Sequence, residues 1–177
     1  GKLISYAIYH PQYTAGGAAG IYFKPENLEV IKIFAENIIK KIQFTGQISF
    51  DFIEKNQNFY ILECNPRATS GLHLIAHHIN WGEALQGKVQ PINYTQKPKM
   101  LRLAMLSYGL KAFFSKKSKQ FFCDYQKADD VLIHCGDDWM HLKSTLAILE
   151  IIFRCLRYKK TFKNAATDDI EWNGEPL

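Results

Sequence analysis

Hydrophobic and polar positions divide the chain into short segments of distinct period. The run Leu3-Ile4-Ser5-Tyr6-Ala7-Ile8-Tyr9 is rich in β-branched and aromatic residues and predicts a strand. A loop over His10–Gly20 and a second short strand over 20–23 follow. Pro25 predicts the start of a helix, where its missing N–H costs nothing. Val30, Ile31, Phe34, Ile38 and Ile42 form that helix's apolar stripe, with Lys32, Glu36 and Lys40 opposite.

Residues 47–53 alternate strictly. Ile48, Phe50 and Phe52 take one side, and Ser49, Asp51 and Ile53 take the other. Lys55-Asn56-Gln57-Asn58 is a turn, and residues 59–64 return until Pro66 stops the strand. A short helix is expected from Leu72. Asn80 caps another, with Glu83 in capping-box position and Gly87 at its end. Residues 88–98 are polar and proline-containing. From Met100 the pattern is largely helical, ending in a long helix over about 138–158 and an irregular tail from Thr161. In that helix Leu142, Leu146, Leu149 and Phe153 are expected to face a core, opposite Lys143, Glu150, Arg154 and Arg157.

The 177 residues suffice for a domain with its own core, and 47% hydrophobic against 22% charged residues excludes a disordered chain. The net charge of +5 is too mild to argue nucleic-acid binding by itself but suits an anionic ligand such as a nucleotide. Leu146–Leu156 is the most apolar stretch, and Glu150 and Arg154 interrupt it, so neither a membrane span nor a membrane partner is expected. Cys64, Cys123, Cys135 and Cys155 are scattered, which fits a reduced cytoplasmic protein. In that setting the sequon Asn93-Tyr94-Thr95 carries no meaning. Gly1-Lys2 leads straight into a strand without an initiator Met, so the chain is expected to be part of a longer protein.

Candidate chemistry concentrates in residues 46–71. An antiparallel hairpin centred on Gln57 sets Asp51 opposite Glu63, Phe50 opposite Cys64 and Phe52 opposite Leu62. Asn65 shares the face of Glu63. One face is then apolar, and the other presents two carboxylates and an amide. Like charges directly opposite on a sheet repel, and a hard divalent cation offsets that repulsion. Oxygen ligands select Mg²⁺ or Mn²⁺. Arg67, just past the strand, suits a phosphate.

The hairpin and its ending, Glu63-Cys64-Asn65-Pro66-Arg67, resemble the metal-binding segment of the ATP-grasp superfamily, nearest to its carbamoyl-phosphate-synthase-like and carboxylate–amine ligase branches. The longer run through Leu74, with the closing I-E-W-N-G-E, resembles uncharacterised bacterial members. The resemblance implies an α+β fold: a carboxyl-terminal ATP-grasp subdomain over residues 1–87, with an antiparallel sheet packed by helices. A connection (88–99) and a mostly helical region (100–177) follow.

It also implies that Asp51, Glu63 and Asn65 hold Mg²⁺ (or Mn²⁺) on ATP, with Arg67 as the catalytic contact to the reacting phosphate. The implied activity is a ligase that activates a small-molecule carboxylate as an acyl phosphate for attack by an amine or thiol. The lysines and Gly-rich lid of such a site belong to an amino-terminal half that this chain does not contain, so the fragment alone is expected to be inactive. A non-catalytic nucleotide-binding or interaction module on the same fold is the alternative. The region after residue 100 could cover the site, bind a partner or form a homodimer.

Other features have plainer readings. Thr14–Gly20 lacks both the P-loop and the dinucleotide order of glycines and reads as a flexible loop. His73 and His77 stand four apart without a zincin glutamate or a third ligand. Thr69, Ser70 and His73 follow the metal motif closely enough to line an acceptor pocket, with local turn bonding the competing role. Phe113, Phe114, Lys116, Lys117, Lys119, Phe121 and Phe122 fit a helix that buries Phe and solvates Lys better than a nucleic-acid surface. The basic cluster Arg154, Arg157, Lys159 and Lys160 suits a helix carboxyl end. Asp129, Asp130, Asp137 and Asp138 read as caps and turn residues.

Overall fold

A computed structural model describes residues 1–15, 19–88, 97–108, 116–132 and 139–167. The tip of the glycine run, the Asn93 sequon, Phe113, Phe114, Cys135, Asp137, Asp138 and the I-E-W-N-G-E ending lie outside these residues. The fold is α+β, and it divides into two compact units, Gly1–Val131 and Leu132–Leu177.

In the first unit, strands β1 (Tyr9–Ala15) and β2 (Ala19–Pro25) pair antiparallel. The strand expected over 3–9 is therefore displaced to 9–15, and most of the expected loop at 10–20 is ladder. Residues 3–8 have no strand partner because they run beside a helix, α1 (Glu29–Ile42), in the opposite direction. The Gly1 amine donates to Gln43 Oε1 at 2.8 Å near the end of α1, Tyr6 lies under the Lys32 ammonium, and the Glu26 N–H donates to the Ile8 carbonyl before its start.

Pro25 closes β2 rather than opening α1, because it still faces Tyr9 in the ladder. The helix begins at Glu29 and ends in Lys40 and Lys41, charges that suit its dipole. Of the expected stripe, Ile31, Phe34 and Ile38 turn inward with buried Ile39, whereas Val30 and Ile42 at the two ends are exposed.

Strand β2 is buried on both sides, which explains its unbroken run Ile21-Tyr22-Phe23. Its Tyr22 enters a core with Met100, Met105, Phe121 and Ala128. Those residues come from β5 (Lys99–Met100), α4 (Arg102–Tyr108), α5 (Ser118–Lys127) and its C-cap Ala128, once β3 (Ser49–Lys55), β4 (Asn58–Asn65), α2 (Leu72–Ile75) and α3 (Trp81–Leu85) have intervened. Strand β6 (Asp129–Asp130) adds a parallel rung, giving the order β1-β2-β5-β6. The first unit thus runs past 88–99 to Val131 because β5, α4 and α5 complete the core of β2.

Asp129 and Asp130 are ladder residues rather than caps or turns. Asp129 meets Lys97, and buried Asp130 lies 3.9 Å from Arg102 Nε. As expected, α5 buries Phe121 and leaves Lys119 in water, but Phe122, expected to be buried with Phe121, is exposed. Asn80 caps α3 by accepting from the Glu83 N–H at 3.3 Å, and Gly87 adopts φ +78° just past its end.

A buried carboxylate ties α5 to β1. Pro11 lies on the edge strand, where a missing N–H is tolerated, and the ladder shifts register beside it. Gln12, the residue left out of the pairing, donates its side-chain amide to Asp124 Oδ2. Tyr13 Oη donates to the same oxygen at 2.8 Å and Gln120 Nε2 to Oδ1 at 2.8 Å. Burial, then the bond to Asp124, push the Tyr13 hydroxyl up to about 12, so it remains a donor across the physiological range.

The second unit contains α6 (Met140–Tyr158) and α7 (Phe162–Thr167). Lys159 ends α6 in the left-handed region, and Thr161 Oγ1 accepts from the Asn164 N–H to start α7. The expected irregular tail is therefore helical over 162–167. The face of α6 expected to be core, Leu142, Leu146, Leu149 and Phe153, is exposed, and the half-buried face is Ser144, Ile148, Ile151 and Cys155. No helix among the described residues is long and apolar enough to cross a membrane.

Replacing Asp124 by Ala removes the acceptor of the half-buried Gln12 and Tyr13 donors and of exposed Gln120, and should destabilise the chain by about 2–3 kcal/mol in urea unfolding. A loss below about 1 kcal/mol would mean that these bonds do not tie α5 to β1.

Candidate metal and phosphate site

The hairpin β3–β4 is a separate two-stranded ladder. It turns through two residues, Asn56 and Gln57, both left-handed (φ 52° and 62°). That conformation matches the twist of a tight hairpin. Lys55 consequently faces Asn58, Ile53 faces Tyr60, and Phe52 faces Ile61 rather than the expected Leu62. A register shift between Asp51 and Phe52 leaves Leu62 as the extra residue, and Asp51 then faces Glu63 and Phe50 faces Cys64, as the sequence implied. Without that bulge a two-residue turn would set Asp51 against Leu62. The shift determines which side chain meets the first carboxylate.

The apolar side of the hairpin packs on α1. Phe34 contacts Phe50 and Phe52 edge-to-face, with ring centroids 5.7 and 5.4 Å apart. Each such contact adds about 0.5–1.5 kcal/mol beyond burial. Asp51, Glu63 and Asn65 occupy the other side. Asp51 and Glu63 are exposed, and Asn65, two rungs along opposite Ser49, is half-buried. Two carboxylates on one rung and an amide oxygen two rungs along the same face make a hard, oxygen-only donor set of the kind that suits Mg²⁺ or Mn²⁺ together with water and phosphate ligands. Among the described residues no group of three or more His, Cys, Asp and Glu gathers as a metal cluster, so any metal here would rest on this pair and the amide.

Tyr9, at the start of β1, was not singled out by the sequence. Burial raises its hydroxyl pKa, the nearby Asp51 carboxylate raises it further, and a hydrogen bond with Thr69 opposes both. The Tyr9 ring stands edge-on to Phe23 at 5.4 Å and lies so near Gly71 that a Cβ there would come within 3.1 Å of it. Phe23 in turn contacts the His73 ring at 5.8 Å. Asp51, Thr69 and His73, all distant in sequence from Tyr9, thus gather around Tyr9 and Phe23. The only sequence signal for Tyr9 was its place at the end of an apolar run, which reads equally as core.

Thr69, Ser70 and Gly71 open α2 through their carbonyls, which accept from the N–H groups of Leu72, His73 and Leu74. The turn role therefore falls to their backbone. His73 is half-buried, and burial lowers its pKa below the ordinary 6.5. His77 lies beyond the end of α2, so the two histidines do not share one helix. Arg67 is exposed, with its guanidinium donating to its neighbour's carbonyl, Ala68 O, at 3.2 Å. Comparison with protein-family models, with curated proteins and with solved structures finds no match.

Because folding lowers the pKa of His73, its neutral form stabilises the native chain above pH 6.5, and that contribution is lost as pH falls through the lower native value. Proton–carbon NMR should give His73 a titration midpoint below 6.5, with stability declining on acidification through that range. A midpoint at or above the ordinary 6.5 would place the ring in solvent.

Proposed function

We propose that this chain carries the metal- and phosphate-binding hairpin of an ATP- and Mg²⁺-dependent ligase of the ATP-grasp type, one that activates a carboxylate as an acyl phosphate for an amine or thiol. The observation that supports this reading is the Asp51–Glu63 pair sharing one rung, with Asn65 two rungs along the same face, which is turned away from α1. Bound there, Mg²⁺ would neutralise charge on the β- and γ-phosphates of ATP.

The chain's own groups have definable tasks in this reading. Asp51, Glu63 and Asn65 supply oxygens and hold them on a rigid ladder. Arg67 exchanges its contact with Ala68 for the transferring phosphoryl group, whose charge its planar fork matches. The substrate carboxylate attacks the γ-phosphorus as the bond to ADP breaks, and the amine or thiol then displaces phosphate from the acyl carbon. Thr69, Ser70 and His73 line the acceptor side, where Tyr9 orients Thr69. A half-buried His73 favoured in its neutral form is a hydrogen-bonding partner rather than a second cation.

Mn²⁺ tests the donor set directly, because it broadens NMR signals only near its site. In this chain the amides of residues 49–51 and 63–65 should broaden first. Asp51→Ala or Glu63→Ala should weaken Mn²⁺ binding by on the order of 10–100-fold, the scale at which even outer-shell partners of a metal act. Broadening spread over unrelated carboxylates, unchanged by either substitution, would end the assignment. In a protein that includes the amino-terminal half, hydroxylamine should trap the acyl phosphate as a hydroxamate. Mg²⁺-dependent ATP binding without trapping, across a panel of carboxylates, would favour a non-catalytic nucleotide-binding module.

A further inference from the structure

The exposed face of α6 has a regular spacing. Leu142, Leu146, Leu149, Phe153 and Leu156 recur at intervals of four, three, four and three, and they are between 49% and 77% exposed. That alternation is the heptad seam of paired helices, with Leu142, Leu149 and Leu156 in one set and Leu146 and Phe153 in the other. The seam runs for about 21 Å along this 19-residue helix. The opposite face, Ser144, Ile148, Ile151 and Cys155, is half-buried. One helix therefore has an inward side and a second apolar side left in water, which costs solubility unless something covers it.

The charges beside the seam indicate what covers it. Lys143, Glu150 and Arg157 flank it on one side at seven-residue intervals, alternating in sign, and Thr145, Ile152 and Lys159 flank it on the other. In a parallel pair the two flanks meet each other, which sets Glu150 against threonine and Arg157 against isoleucine. In an antiparallel pair each flank meets its own copy. Setting Leu146 against Leu149 of the partner subunit brings Leu142 to Phe153 of the partner subunit. Lys143 then lies alongside Glu150 of the partner subunit, whose carboxylate also holds Arg154 of its own helix at 2.7 Å, and the two-fold axis makes that contact twice.

We infer that α6 is a self-association surface that pairs antiparallel with α6 of a second copy of this chain. A lipid surface suits the face less well. An interfacial helix needs a strongly charged side opposite its apolar one, whereas the side of α6 opposite the seam includes Ile148, Ile151 and Cys155, and Glu150 adjoins the apolar stripe. Two heptads are short for a coiled coil, so the pairing is expected to be weak and to form and break readily.

Sedimentation equilibrium of the full chain, from low to several hundred micromolar, should show a reversible monomer–dimer equilibrium. Leu149→Glu, at an exposed position, should leave circular dichroism unchanged and abolish the dimer. Lys143→Glu and Glu150→Lys should each weaken it by about five- to tenfold, because each turns two attractive contacts repulsive. The double reversal should restore it. A strict monomer across the range would overturn the inference, as would single reversals without effect or a double reversal that fails to rescue. Binding of α6 to anionic phosphatidylserine vesicles, with no self-association, would equally overturn it and assign the face to lipid.

Discussion

Asp51 and Glu63 occupy one rung of a two-stranded ladder, and each carboxylate raises the cost of the other. The penalty is at most of order 1 kcal/mol at an exposed position, small enough to be carried by the packing beneath. That packing is Phe34 of α1 against Phe50 and Phe52, which fixes the hairpin by its apolar side and leaves the charged side available. A cation between the carboxylates converts the penalty into binding energy. The proposed function depends on this opposition. Arg67, Thr69 and His73 gain a role only if something anionic is held where the carboxylates alone would repel it.

The second constraint is β2. Because Tyr22 and Phe23 are buried on opposite sides of one strand, the sheet joins two environments. Tyr22 belongs to the core built by α4 and α5. Phe23 supports Tyr9 and His73, and through Tyr9 the strand reaches Thr69 and Asp51. The residues proposed to line the acceptor side are thus braced by the same strand that anchors the helical core. The buried Asp124 network holds that core to the edge strand from which Tyr9 projects.

Period and turn chemistry made much of this legible from the residues alone. Strict alternation over 47–53 and Pro66 located the hairpin, and Asn80 and Gly87 bounded a short helix. The pairing of Asp51 with Glu63 emerged from a turn placed one residue off, because the Leu62 bulge compensates the two-residue turn. Nothing in the sequence signals that bulge. Residues 3–8 have every local property of a strand, yet they lie beside α1, since pairing depends on a neighbour that local pattern cannot supply. Tyr9 was missed for the same reason: its value comes from Asp51 and Thr69, distant in sequence. In α6 the period was right and the face was not, because two apolar stripes on one helix leave its inward side undetermined.

Cross-strand nuclear Overhauser contacts in the isotopically labelled chain measure the central geometry. The account predicts contacts pairing Asp51 with Glu63, Phe52 with Ile61 and Lys55 with Asn58, with Leu62 unpaired between them. A ladder without the bulge, in which Asp51 meets Leu62 and Glu63 lies on the opposite face, would contradict it.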